Sequence, residues 1–190
     1  MGPMVKFMQE FGTCGMLEMC AKVDDAPFKN WAGTGEGDMP NYADIGGAHI
    51  IAQQERRYGC YRCPIACGGI MKAGTGEYEY EEGAHKPEYE TMGMFGSILC
   101  NDNLDSLIVV SDICNRLGVD TISAGACIAF TMECYEHGLI GPEDTGGLEM
   151  KWGDHRAIVA MTQMLCNREG FGKVIADGVK VAAERIGKGS

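Results

Sequence analysis

At 190 residues the chain suffices for one good-sized domain or two small ones, and 45% hydrophobic with 23% charged residues is a folding composition rather than a disordered one. A formal net charge of −11 argues against nucleic acid and acidic membrane surfaces as partners, while plain solubility and docking to a basic surface both fit it. No apolar run reaches the roughly 18 residues of a membrane span, and the opening "MGPMVKFMQEFG" lacks the basic region and apolar core of a signal peptide.

The first hundred residues are rich in glycine and turn formers. Residues 31–47 and 72–90 read as loops around short elements, and Gly33-x-Gly35-x-Gly37 reads as a turn, because it lacks the third spacing of a dinucleotide fingerprint. Residues 44–57, "DIGGAHIIAQQERR", are predicted to form a helix. Near residue 100 the pattern changes. Asp102 or Asn103 caps a helix through "LDSLIVVSDICNRLG", with Leu104, Leu107, Ile108 and Ile113 on its apolar side and Gly118 as the stop. Asp120 or Thr121 opens an almost wholly apolar helix, expected to be buried, that runs to Gly138. Asp154 caps a third helix ending at Gly170, and 171–187 supplies a last helix or helix pair. The predicted fold class is mainly α. Residues 1–100 form a loop-rich ligand and active-site segment and 101–190 a helical bundle segment, within one continuous domain.

Ten cysteines without an export signal fit a reducing compartment, the cytoplasm, where thiols serve as metal ligands or small core residues. Cys114, Cys127, Cys134 and Cys166 fall in apolar helical patterns and read as core. Cys60, Cys63 and Cys67 form C-x2-C-x3-C in "YGCYRCPIACGG". A c-type haem would need histidine where Pro64 stands. A structural zinc wants a second C-x2-C or a histidine pair, and neither follows. A [4Fe-4S] cluster often takes three cysteines from one tight loop and a fourth from afar, each on its own iron. Spacing alone leaves cluster, zinc and no metal open.

Several stretches together resemble a known family. "CYRCPIACGG" (60–69) is similar to the cluster loop of the tungsten-containing aldehyde ferredoxin oxidoreductases. "PEYETMGMFGS" (87–97) is similar to their segment beside the metal–pterin site, and "DICNRLGVDTISAGACIAF" (112–130) to their pterin-binding segment. "MKWGDHRAI" and "IADGVKVAAERIGKGS" resemble later helices of the family's middle region. The resemblance implies a middle fragment of a longer enzyme, with the fourth cluster ligand and second pterin motif elsewhere. On its own the fragment is expected to be inactive.

Carried over by resemblance, Cys60, Cys63 and Cys67 would hold the [4Fe-4S] cluster as an electron relay. Glu90 would move a proton or hold substrate near the metal, in a water-poor pocket that raises its pKa. His85 is read from its position instead: a loop histidine near that candidate acid is either a second proton donor or a solvated side chain. Asn115, Gly118, Val119 and Asp120 would meet a tungsten or molybdenum bis-pterin; Asn115 departs from the family's more usual aspartate. Gly118 and Asp120 also serve as helix stop and cap. Glu133 and His137 read as a surface pair, with His137 near its helix C-terminus. The implied partners are ferredoxin or an iron–sulfur electron-transfer subunit, and the remaining domains of the parent enzyme. The implied substrate is an aldehyde oxidised to its acid. The alternative is an aryl-CoA whose ring is reduced, as in class II benzoyl-CoA reductases. A non-catalytic iron–sulfur or zinc-binding module is the third reading.

Overall fold

The computed structural model describes residues 2–190. In chain order it holds α1 (Pro3–Glu10), α2 (Leu17–Lys22), α3 (Gly35–Asp38), α4 (Gly47–Gln53), β1 (Gln54–Tyr58), β2 (Gly68–Met71) and α5 (Tyr89–Phe95). The larger helices follow: α6 (Leu104–Leu117), α7 (Thr121–Glu136) and α8 (His155–Asn167), then the short α9 (Gly172–Ile175) and α10 (Val179–Ile186). The fold is mainly α, as its sequence pattern implies, with one two-stranded sheet. None of the described helices is long and apolar enough to cross a membrane.

The helical half is set by its caps. Asn103 Oδ1 accepts from Ser106 N at 2.9 Å to start α6, and Gly118, in the left-handed region, ends it. Asp120 Oδ2 accepts from Ser123 N at 2.8 Å and starts α7. Asp154 accepts from the amides of Arg156 and Ala157 and starts α8. That helix stops at Asn167, short of Gly170. Arg168 takes the left-handed conformation, and Glu169 N donates back to Met164 O at 2.9 Å. The final pair, α9 and α10, is broken at Gly178.

The core runs through both halves of the chain. Leu17, Phe28, Ile45, Ile50 and Met71 join Met92, Phe95, Leu107, Ile108 and Ile128, all fully buried. Burial of each such side chain contributes about 1.5–3 kcal/mol. Most of α7 lies inside this core, although Ile122 in its first turn is exposed. Asn101, at zero exposure, knots α5 to α6: its Nδ2 donates to Phe95 O at 3.1 Å and Ser106 Oγ at 2.9 Å, and its Oδ1 accepts from Asn103 N at 3.0 Å.

Three expectations change in the loop-rich half and its neighbours. The helix expected over 44–57 is a 3-10 turn at Tyr42–Ile45 followed by α4, and at Gln54 the chain turns into β1. Residues 54–58 are polar and offer no apolar helical face, whereas Gly68–Met71 offers them a ladder. The glycine run at 33–37 forms the start of α3, where Thr34 Oγ1 accepts from Gly37 N. Glu133 pairs with Asn30 Nδ2 at 2.6 Å, while His137 caps the exposed end of α7.

Cys14, Cys114, Cys127 and Cys134 are buried free thiols. Burial pushes Cys14 from an ordinary value of 9.0 up to about 11, and raises Cys114 too. A thiol whose pKa is higher folded than unfolded stabilises the fold fully below the unfolded value. That stability is lost as pH rises towards the folded value. Between about pH 9 and pH 11, urea melts are therefore expected to lose about 1.4 kcal/mol per pH unit for each such thiol. A midpoint flat over that range would contradict this.

Candidate active site

The cysteine loop sits at the tip of the sheet. β1 and β2 pair antiparallel with Tyr58 opposite Gly68, so the strands clamp residues 59–67 at their base. Within the loop Cys63 N donates to Cys60 O at 2.9 Å, while Arg62 and Ala66 take left-handed conformations that non-glycine residues seldom hold. Arg57 pins the far side, its guanidinium donating to Ile65 O at 3.1 Å and Ala66 O at 3.2 Å. With those carbonyls held, the amides of Ala66 and Ile65 face Cys63 and lower its thiol pKa. Cys60 is exposed and Cys63 and Cys67 half-buried, and all three are free.

Residues 84–91 tie this loop to the helical half. Lys86 N donates to Gly69 O at 2.8 Å, and His85 bridges to Ile70. His85 Nδ1 hydrogen-bonds the Tyr58 hydroxyl at 2.8 Å, with the rings edge to face at 5.3 Å. Burial pushes the Tyr58 phenol up, and Glu88, Cys60 and Cys67 add to the shift. Further along, Thr13 Oγ1 donates to Glu88 and accepts from Tyr89 N at 2.9 Å, so a residue from between α1 and α2 caps α5. One residue past Glu90, Thr91 Oγ1 hydrogen-bonds Thr121 Oγ1 at 2.9 Å, placing the start of α5 against the start of α7.

The Thr91–Thr121 link joins the residue after Glu90 to the residue after Asp120, the last of the four expected pterin residues. Asn115, in the last turn of α6, is exposed; Gly118 and Asp120 are exposed and Val119 half-buried in the α6–α7 turn, between Leu117 and Ile122, two large apolar side chains also open to solvent. Asp120 is committed to Ser123, whose hydroxyl and amide hold its carboxyl below the usual range. Glu90 itself is exposed in this chain. With Thr13, Met16, Cys20, Glu88 and Tyr89 it lines a cleft of about 450 Å³. Burial pushes the Tyr89 phenol up, and the Cys20 thiol beside it adds to the shift.

A model of the family described as aldehyde ferredoxin oxidoreductase, domains 2 and 3, matches residues 2–190. The chain belongs to the aldehyde ferredoxin oxidoreductase family. The tungsten-containing aldehyde ferredoxin oxidoreductase of Pyrococcus furiosus is 33% identical over 183 residues, covering 95% of this family member and 29% of that protein. Its counterpart in Pyrococcus abyssi is 34% identical over 183 residues, covering 94% and 29%. An aliphatic sulfonate oxidoreductase, WOR-like subunit, from Pyrococcus furiosus is 31% identical over 126 residues, covering 66% of this chain and 20% of that one. Among solved structures, the active-site complex BamBC of benzoyl coenzyme A reductase with 1,5-dienoyl-CoA shares the fold. Its TM-score is 0.61 at 23% identity, over 75% of this chain and 21% of that chain. The family member described here thus spans less than a third of the length of these relatives.

The relatives from Pyrococcus furiosus and Pyrococcus abyssi are named as tungsten-containing enzymes. The thiol loop suits a thiolate-bound iron–sulfur cluster in donor chemistry: three free thiols on one clamped turn, one of them shifted towards thiolate by backbone amides. Among the described residues no three His, Cys, Asp or Glu side chains gather tightly enough to hold one metal ion. A single zinc needs its sulfurs about 2.3 Å from one point. A cubane asks for no such convergence, since each thiolate meets a different iron. Sequence reasoning missed Lys86, Arg57 and Thr13, whose partners lie far along the chain.

Proposed function

We propose that this chain is the electron-relay and substrate-facing part of a tungsten-pterin or molybdenum-pterin oxidoreductase that oxidises aldehydes to acids and passes the electrons to ferredoxin. The observation that carries this reading is the continuous run from the thiol loop through residues 84–91 to the α6–α7 turn, closed by the Thr91–Thr121 hydrogen bond. Cys60, Cys63 and Cys67 would hold three irons of a [4Fe-4S] cluster, with a fourth ligand from outside the chain. Asn115, Gly118, Val119 and Asp120 would border the pterin. When bound, the tungsten group supplies the two-electron chemistry and the cluster moves the electrons singly.

This chain's own residues handle position and protons. Glu90, at the edge of the cleft, takes or returns a proton at its carboxylate, and closure of the cleft by other parts of the enzyme shields it from water. His85, with Nδ1 engaged by Tyr58, keeps Nε2 for proton transfer. Glu88 is tied to Thr13 and serves to orient α5. The ten thiols suit a reducing compartment, so we place the enzyme in the cytoplasm.

The test is turnover of simple aldehydes by the protein at its natural full length, purified anaerobically, with a low-potential dye as acceptor. Reduction of an aryl-CoA without any aldehyde oxidation would move the reading to the ring-reducing branch. Glu90→Gln is expected to lower kcat by about 10²–10⁴-fold with iron content unchanged. Loss of iron in that variant would mean that Glu90 supports the cluster loop instead.

A further inference from the structure

Lys86 has no part in the scheme above, yet it is the one charged side chain buried among the described residues, at 5% exposure. Its ammonium donates to Phe11 O at 2.7 Å. No acid among the described residues forms an ion pair with it. Glu88 is exposed and turned to Thr13. Cys14, which donates its S–H to the same Phe11 carbonyl at 3.0 Å, is kept protonated by burial. An ammonium taken out of water without a counter-charge is strongly unfavourable, so its retention calls for an anion close by.

Gly12 shows what lies next to that ammonium. A Cβ on Gly12 would stand 2.7 Å from Lys86 Nζ and also 2.7 Å from Cys67 O, so the ammonium lies beside the backbone of the third thiol. Gly12 itself has a φ of +76°, and no other residue type suits so tight a passage in that conformation. The Lys86 amide meanwhile donates to Gly69 O, two residues beyond Cys67, which fixes the lysine to the loop from its own backbone.

We propose that Lys86 is the buried counter-cation of the iron–sulfur cluster and raises its reduction potential. The proposal rests on the reading of residues 60–67 as a cluster loop. A cubane with four thiolates is anionic, and one electron from a low-potential donor adds one negative charge without making or breaking a bond. A fixed cation in a low-dielectric setting stabilises the reduced form more than the oxidised one. Lys86 acts through the field and touches neither substrate nor the metal–pterin group.

Two measurements on the full-length protein test it. In spectroelectrochemical titration with dithionite, Lys86→Met and Lys86→Gln are expected to shift the cluster midpoint to lower potential, and Lys86→Arg to leave it near wild type. In protein stripped of metal by chelator, Lys86→Met is expected to melt no lower than wild type, because the cation there has lost its counter-charge. An unchanged midpoint in the neutral variants, or an equal shift in the arginine variant, overturns the proposal. A neutral variant that fails to fold or melts lower without metal also overturns it, since Lys86 would then be a structural hydrogen-bond donor. Wild-type protein without iron would instead sink the cluster reading itself.

Discussion

Replacing Cys60, Cys63 or Cys67 by serine is expected to strip the loop of most of its iron while the helical half keeps its fold. These thiols stand on a turn outside the hydrophobic core, and the caps and core contacts of α6, α7 and α8 do not involve them. Helical circular dichroism should stay within error of wild type. Iron should fall from about four per chain towards none. Serine at Cys127 or Cys134 should do the reverse, retaining iron while lowering stability by about 1–3 kcal/mol, because a hydroxyl then sits in an apolar helix interface. A serine variant of the loop that keeps full iron would remove that thiol from the ligand set.

Gly125→Ala should be a strongly disruptive small change in the helical half. Gly125 is buried in α7, where an added Cβ would run into the Met94 carbonyl of α5, 2.7 Å from the carbonyl carbon and 2.8 Å from Met94 Cβ. Backbone cannot swing aside as a flexible side chain can. Alanine would gain about 1 kcal/mol in helix propensity, but forced separation of packed helices costs about 1–3 kcal/mol and often more. We expect net destabilisation, read as a lower urea midpoint. The same separation would part Thr91 from Thr121 and shift Glu90 relative to the α6–α7 turn. A displacement of about 1 Å at such a site can lower turnover on the order of 10²-fold. Gly93→Ala, on α5 itself, is the control. Its Cβ would meet only Pro27 Cγ at 4.0 Å, so it should be tolerated.

What could be read in advance was local. Asn103, Asp120 and Asp154 announce their helices because a cap acts within three residues, and Gly118 stops α6 by its own conformation. The C-x2-C-x3-C spacing needs no tertiary knowledge either. Strand β1 was illegible because its reason for existing, Gly68–Met71, comes after the whole thiol loop. Lys86 carried no signal for the same reason. A lysine between histidine and proline reads as solvated until Phe11 and Gly12 close over it. The Thr13 cap on α5 and the Thr91–Thr121 link are likewise long-range, so the sequence motifs were visible singly while their assembly was not.

The most direct measurement is the iron, acid-labile sulfide and zinc content of the anaerobically purified full-length protein, read alongside its visible absorption. About four irons and matching sulfide per chain, with a broad absorption that bleaches on reduction, is the outcome required of an electron-relay loop. Stoichiometric zinc with no colour would contradict it.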